Sequence, residues 1–232
     1  APTFAADSQP TTKKAQATSE VKLSWQGSDQ FGALPKGRIQ RAFEDFTYSG
    51  QKDSWQLLCT KKSEIFFSSL EQVRVLDRQL QLKQNGSKLT FDSPLITMTI
   101  DGTTVKLKAK RVPRAAAAES TLEIARPLFF DPQWLGLSQH LINQLLHSVA
   151  PSINSKEELQ SALVKLHEMQ FEALVPKIFN KRKFKILVAP EGQGDELSLD
   201  IVQLEVNKFN PARHHRFWLN KVGVIARYLK VS

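Results

Sequence analysis

The sequence predicts an α+β fold in which an antiparallel β-meander sheet packs against a two-helix hairpin. Two observations predict the meander: apolar residues alternate along the middle of the chain, and glycine turns at Asn85-Gly86 and Asp101-Gly102 separate the alternating runs. A third observation predicts the helices, since apolar residues after position 131 recur at helical spacing. We therefore expect a single α+β domain over residues 21–232.

The first part of the chain precedes the predicted domain. Residues 1–20 show no hydrophobic period, and we expect them to form a flexible arm. They begin with Ala and lack the apolar region of a signal peptide, so they resemble a mature terminus from which a targeting segment has been removed. This favours an extracytoplasmic or organellar location, although an expression artefact would give the same start.

Two elements are predicted between the arm and the meander. Val21, Leu23 and Trp25 have a spacing of two, which predicts a first strand. Residues 36–47 predict a short amphipathic helix instead. Four apolar residues carry that helical spacing: Ile39, Ala42, Phe43 and Phe46.

The meander is predicted from residue 55 onward. Trp55, Leu57 and Cys59 alternate, and similar alternation flanks both glycine turns. We interpret each Asn-Gly or Asp-Gly pair as the centre of a type I′ turn, which requires positive φ at both central residues. Cys59 is the only cysteine, so it forms no intramolecular disulfide and is expected to be buried.

Two amphipathic helices should follow the meander. Asp131-Pro132 is typical of a helix start, with aspartate as the N-cap and proline as the first helical residue. A second helix starts at a capping box formed by Ser155 and Glu158. Because a short segment connects them, we expect antiparallel neighbours that lie across the buried face of the sheet.

The last part of the chain returns to strands. Phe184, Ile186 and Val188 alternate, a turn is expected at 191–194, and alternation resumes at Leu197. The pattern after residue 207 fits either a strand or a helix, and we favour a strand over 222–230.

The charge of the chain indicates an anionic partner. The formal net charge is +9 and the isoelectric point is about 9.7. This excess suits nucleic acid, an anionic membrane surface or an acidic protein, and it also serves solubility alone. The candidate contact residues are the clustered cations and one tryptophan: Lys106, Lys108, Lys110, Arg111, Arg114, Lys181, Arg182, Lys183, Arg213, Arg216, Trp218, Lys221 and Arg227.

The lysine row, which we define as Lys106, Lys108 and Lys110, is predicted on one face of a single strand. Two interpretations stay open. The row contacts an anionic partner, or it deters pairing between exposed sheet edges.

No residue pattern indicates catalysis, a metal centre or a cofactor. The chain has no phosphate-binding glycine loop and no nucleophile elbow, and its histidines lack the spacing of a ligand set. Each pair of adjacent acidic residues also has a structural explanation.

Three functional hypotheses follow. The first is a non-catalytic binding or assembly subunit that docks on an anionic partner and belongs to a larger complex. The second is a lipid or apolar-ligand binding protein. The order of meander, helices and returning strands is similar to bacterial and plastid lipid-binding domains of the tubular lipid-binding kind, and that resemblance implies a bound lipid or apolar ligand. The third is a nucleic-acid-binding protein, since basic residues mixed with aromatics suit phosphate contact and base stacking.

Overall fold

A computed structural model describes residues 19–27, 38–67, 71–110, 119–188, 197–205 and 214–230. In these stretches the chain forms two antiparallel sheets and two α-helices, which confirms the α+β class. The first sheet has eight strands in sequence order and is the expected meander. The arm predicted over residues 1–20 lies outside the described residues, except for its last two, which begin the first strand.

The first sheet combines long strands with short ones, and each strand pairs with the next along the chain. The eight strands are β1 (Ser19–Gly27), β2 (Arg38–Gln51), β3 (Ser54–Phe67), β4 (Gln72–Asn85), β5 (Lys88–Asp92), β6 (Ile96–Asp101), β7 (Thr104–Ala109) and β8 (Glu119–Glu123). Short β5 covers only the end of β4, from Gln81 to Asn85, and pairs with β6 on its other side. Val73 and Val75, near the start of β4, are exposed.

The helices and the second sheet complete the fold. Helix α1 (Leu135–His147) packs against β2 and β3, whereas helix α2 (Lys156–Leu166) packs against β10 (Asn180–Val188) of the second sheet. The five strands of that sheet are β9 (Gln170–Val175), β10 (Asn180–Val188), β11 (Leu197–Gln203), β12 (His214–Leu219) and β13 (Ile225–Lys230). The helical hairpin therefore contacts both sheets.

Both predicted glycine hairpins of the meander exist, but the glycine takes a different position in each turn. Asn85 pairs with Lys88, so the central residues are Gly86 and Ser87. Gly86 has a φ of 61°, whereas Asn85 and Ser87 do not have positive φ. The predicted type I′ centre is therefore wrong, and glycine holds the first central position, as in a type II′ turn. The turn at Gly102 repeats this arrangement.

The helix predicted over residues 36–47 is wrong, because Arg38–Gln51 forms strand β2. Glu44 and Phe46 are both buried on the inward face of this strand. Glu44 is charged although it points inward, so it interrupts the apolar alternation of the strand. Phe43 lies on the opposite face, and its apolar side chain produces the apparent helical spacing.

The start of α1 also differs from the prediction. The helix begins at Leu135, and its N-cap residue Trp134 makes no side-chain cap hydrogen bond. The carboxylate of Asp131 accepts a hydrogen bond from the backbone N–H of Gln133 at 3.1 Å. Asp131 and Pro132 therefore belong to a turn that precedes the helix.

The Ser155 half of the predicted capping box of α2 is confirmed, whereas Glu158 reaches the residue before the N-cap. The hydroxyl of Ser155 accepts a hydrogen bond from the backbone N–H of Glu158 at 3.2 Å. The carboxylate of Glu158 accepts one from the backbone N–H of Asn154 at 2.8 Å. Two backbone donors at the helix start are thus satisfied.

Two apolar clusters form the core. The first lies on the inner face of the meander and includes Cys59, which is fully buried as expected. The second lies between the helices and the second sheet. Helix α1 contributes Leu137 to the first cluster and Leu141 to the second, so it joins the two halves of the interior.

The strand favoured for residues 222–230 is confirmed from Ile225 onward as β13. Residues 220–224 form the turn that connects it to β12, and Gly223 in this turn has a φ of 87°. The turn expected at 191–194 lies outside the described residues.

Candidate functional site

The lysine row lies on one exposed face, as predicted: Lys106 and Lys108 belong to β7, and Lys110 directly follows its last residue. Lys106, Lys108 and Lys110 are exposed, whereas the alternating residues Val105 and Leu107 are buried. The face assignment follows directly from the two-residue period of a strand.

Acidic residues neutralise part of this row. The ammonium of Lys108 lies 3.6 Å from a carboxylate oxygen of Glu119 on the neighbouring strand. Lys110 forms an ion pair with Asp92. Lys106 lies opposite Thr99 on one side and Thr121 on the other. The row therefore presents less net positive charge than its three lysines suggest.

The predicted cluster of Lys181, Arg182 and Lys183 divides between different environments. The ammonium of Lys181 donates to the backbone carbonyl of Glu123 at 2.6 Å and lies 3.2 Å from the carboxylate of Glu172, so it connects the two sheets. Arg182 points inward and lines a cleft. Lys183 is exposed on the opposite face of β10.

The C-terminal hairpin, which we define as residues 214–230, brings the aromatic and basic candidates together. Trp218 lies beside two guanidinium groups on the outer face of the second sheet. The guanidinium carbon of Arg227 lies 4.3 Å from the indole centroid, and that of Arg216 lies 5.9 Å away. Both distances are within the range of a cation–π interaction, so the arginines hold a half-buried tryptophan in a cationic setting.

Asp200 fixes one side of this arrangement. Its carboxylate accepts two hydrogen bonds from Arg216, at 2.8 and 3.0 Å, and lies 2.6 Å from Nε2 of His214. Burial would raise the pKa of Asp200, but the hydrogen bonds from Arg216 and His214 outweigh burial and lower it. Asp200 is therefore an anchor that orients Arg216.

The remaining candidates are only partly described. Lys221 is exposed in the turn of the C-terminal hairpin. Arg111, Arg114 and Arg213 lie outside the described residues.

A buried charge cluster under α1 was missed by the sequence interpretation. Glu44 and Lys61 lie directly opposite each other on β2 and β3, and they are 3% and 1% exposed. The carboxylate of Glu44 accepts hydrogen bonds from the backbone N–H groups of Leu135 and Gly136, at 2.9 and 2.5 Å. It therefore caps α1 from another part of the fold, where the helix dipole favours a negative charge.

The ammonium of Lys61 completes this connection. It donates to the backbone carbonyl of Gln133 at 2.6 Å, directly before the helix. Burial raises the pKa of Glu44 to about 7, while the backbone donors and Lys61 oppose that rise. Burial lowers the pKa of Lys61 to about 8, against the attraction of Glu44.

Cys59 belongs to the same buried region. Burial raises the pKa of its thiol well above the ordinary value, and the charge of Glu44 adds to that rise. A Cβ atom at Gly136 would lie 2.5 Å from the sulfur of Cys59, so glycine is the residue that fits at this point of the helix. A raised pKa and complete burial describe an unreactive thiol.

One sequence signal could have revealed the pair. Lys61 continues the inward alternation of Trp55, Leu57 and Cys59, and the tight turn between β2 and β3 places Glu44 opposite it. The missing information was that residues 38–51 form a strand.

Two other kinds of feature are absent from the described part of the chain. It contains no group of three or more His, Cys, Asp or Glu side chains placed to hold a metal ion. None of the helices in the same stretches has both the length and the apolar character needed to cross a membrane.

Comparison with known proteins adds no family: no protein family model, no curated protein and no solved structure matches this chain.

Proposed function

We propose that this protein is a non-catalytic binding or assembly subunit that docks on an anionic partner through its C-terminal hairpin. The observation that supports this function is composition combined with geometry. Residues 214–230 contain four Lys or Arg side chains and no Asp or Glu. Arg216 and Arg227 flank Trp218 on the outward face of this hairpin.

Among the three partner classes, an anionic membrane surface agrees best with the neighbouring side chains. Leu229 and Val222 are both 44% exposed and lie in the same hairpin as the basic residues. Tryptophan beside exposed apolar and basic side chains suits a bilayer interface, where the indole lies at headgroup level and cations meet anionic lipids.

Co-sedimentation with vesicles tests this function. We expect the protein to bind phosphatidylcholine vesicles that contain about 30% phosphatidylglycerol, and to be released by salt, because a Debye length falls to about 3 Å at 1 M ionic strength. The variant Arg227→Gln should weaken binding about fivefold, since a basic residue near an anionic surface contributes about 1 kcal/mol.

A matched variant controls for the loss of charge. Lys88→Gln removes one exposed cation from the start of β5 in the first sheet, and we expect less than about a twofold effect because it lies outside the hairpin. Equal weakening by both variants, or equal binding to neutral vesicles, would contradict the proposal. A salt-dependent shift of single-stranded DNA without vesicle binding would support the nucleic-acid alternative instead.

Carriage of a lipid or another apolar ligand stays a prediction. Its test is native mass spectrometry of the protein purified from its own source. Co-purified lipid at a ratio of one per chain would support the carrier, and the same spectrum free of lipid adducts would count against it.

A further inference from the structure

A cleft with a volume of about 180 Å³ lies at one end of the second sheet, on the inward side. It is bordered by β10, β13 and the segment before α1. Apolar side chains form part of its lining: Phe130, Val175, Ile178 and Phe184. This cleft lies on the inward face of the sheet, whereas Trp218 lies on the outward face. Arg182 lines the cleft, and the next residue, Lys183, points to the outward face because side chains alternate along a strand.

Three cations from three separate segments line this cleft. Lys177 comes from a single 3₁₀ turn (Pro176–Ile178), Arg182 from β10 and Lys230 from the end of β13. Neither lysine forms an ion pair with a carboxylate in the described part of the chain. Arg182 donates one hydrogen bond to the backbone carbonyl of Lys181 at 3.1 Å, and its guanidinium carries further donors.

Among the described residues, one carboxylate lines the cleft, and its environment limits its negative charge. Asp131 is buried, and its carboxylate accepts the hydrogen bond from Gln133 described above. Burial raises the pKa of Asp131, although Gln133 and nearby cations, including Lys177, oppose that rise. The cleft therefore has an excess of positive charge even when Asp131 is ionised.

A buried side-chain amide also lies at the cleft. Gln203 is 6% exposed, and its amide nitrogen has no acceptor within the described residues. Nearby, the hydroxyl of Tyr228 lies 2.7 Å from Nδ1 of His215. Because buried donors are rarely left unpaired in native proteins, the amide of Gln203 calls for an acceptor at this position.

We propose that this cleft binds a phosphate group, presented either by a small phosphomonoester or by a phospholipid headgroup. A guanidinium and two ammonium groups supply charge for a dianion, and the planar donors of Arg182 match two phosphate oxygens. The side-chain amide of Gln203 can donate a hydrogen bond to a phosphate oxygen. The apolar wall formed by Phe130 and Phe184 can receive the organic part of the ligand.

This inference goes beyond the proposed function, since it concerns another face of the sheet and a small ligand. Isothermal titration calorimetry with phenyl phosphate tests it on the full chain. We expect saturable binding of one molecule per chain. Arg182→Gln should weaken binding at least about tenfold, because it removes a charge-assisted, two-point contact.

The adjacent residue provides a matched control. Lys183→Gln removes the same charge from the same strand but from its opposite face, and it should change the affinity less than about twofold. Equal weakening by the two variants would overturn the proposal, as would the absence of binding at about 10 mM phenyl phosphate. Gln203→Leu should also weaken binding, and thermal unfolding of each unliganded variant verifies that it folds.

Three further ligands identify the chemical group that is bound and its source. Phenyl sulfate carries one negative charge, and binding as tight as that of phenyl phosphate would overturn the assignment to a phosphate dianion. Inorganic phosphate and dihexanoyl phosphatidic acid separate the two sources. Binding of inorganic phosphate alone identifies a soluble phosphate ligand, whereas binding of the lipid alone identifies a headgroup site, and either result supports the proposal.

Discussion

The two sheets place their charged residues in opposite ways. The meander buries Glu44 and Lys61 in its interior and pairs two members of its exposed lysine row with carboxylates. The second sheet carries its cations near the surface, around Trp218 on one face and around Gln203 on the other. Charge buried in the meander therefore supports the fold, whereas we propose that the cations of the second sheet meet a ligand or partner.

The largest expected effect is a difference in the free energy of unfolding when one carboxylate is removed from each sheet in turn. Glu44→Ala should lower the free energy of unfolding by about 3 kcal/mol or more, because it leaves the buried ammonium of Lys61 without this partner and removes the cap of α1. Asp200→Ala should cost about 1 kcal/mol, because Arg216 is partly exposed and regains water. Urea unfolding of the two variants measures both changes.

Equal costs for these two variants would contradict the comparison. If Glu44→Ala does not fold, the double variant Glu44→Leu with Lys61→Met keeps the test possible, because it replaces both buried charges by apolar groups. We expect this double variant to recover most of the lost stability.

A smaller effect should appear in the pH dependence of stability. The pKa of Glu44 is raised in the folded state, from 4.5 to about 7. Its contribution to the free energy of unfolding is therefore complete below the pKa of 4.5 and is lost as pH rises through about 7. The pKa of Lys61 is lowered in the folded state, from 10.5 to about 8. Its contribution to the free energy of unfolding is therefore present above the pKa of 10.5 and is lost as pH falls through about 8. The pair should therefore stabilise the fold least between about pH 7 and pH 8.

Urea unfolding at about pH 5, 7.5 and 9.5 measures this dependence as the difference between the wild type and the Glu44→Leu, Lys61→Met variant. We expect the smallest difference at the middle pH value. A difference that stays constant across the range would show that neither group titrates with a shifted pKa.

The smallest expected effect concerns the lysine row. Lys108→Gln with Lys110→Gln removes two ion pairs between exposed side chains, and we expect the free energy of unfolding to change by less than about 1 kcal/mol. The same double variant should retain binding to anionic vesicles within about twofold. A larger loss of vesicle binding would mean that the row contacts the partner and would extend the proposed docking surface to the meander.

The sequence predicted the meander well wherever one face of a strand is purely apolar. Trp55, Leu57 and Cys59 alternate without interruption, and both glycine hairpins are present. The prediction of β2 was wrong for a physical reason. Glu44 takes an inward position because the start of α1 satisfies its carboxylate, and no local pattern can show a partner that lies 91 residues away.

The candidate sites were predictable to a lesser degree. Strand periodicity placed the lysine row on one face, and adjacency in sequence suggested a shared role for Arg182 and Lys183. Their opposite directions follow from that same periodicity once β10 is known. The ion pairs of the row could not be predicted, because they depend on the register between strands and on connections that bring Asp92 near Lys110.

The capping of α1 by Glu44, a residue of strand β2, also affects the order in which we expect the elements to fold. A helix usually carries the group that caps its first turn, so it can form early from local contacts. Here Trp134 provides no side-chain cap, and the carboxylate comes from β2, which acquires its inward orientation by pairing with β3. We therefore expect the first turn of α1 to be completed only after this β-hairpin exists, since its capping carboxylate lies 91 residues away in sequence. Substitutions in the hairpin that joins β2 to β3 should consequently delay the appearance of helical structure in refolding kinetics.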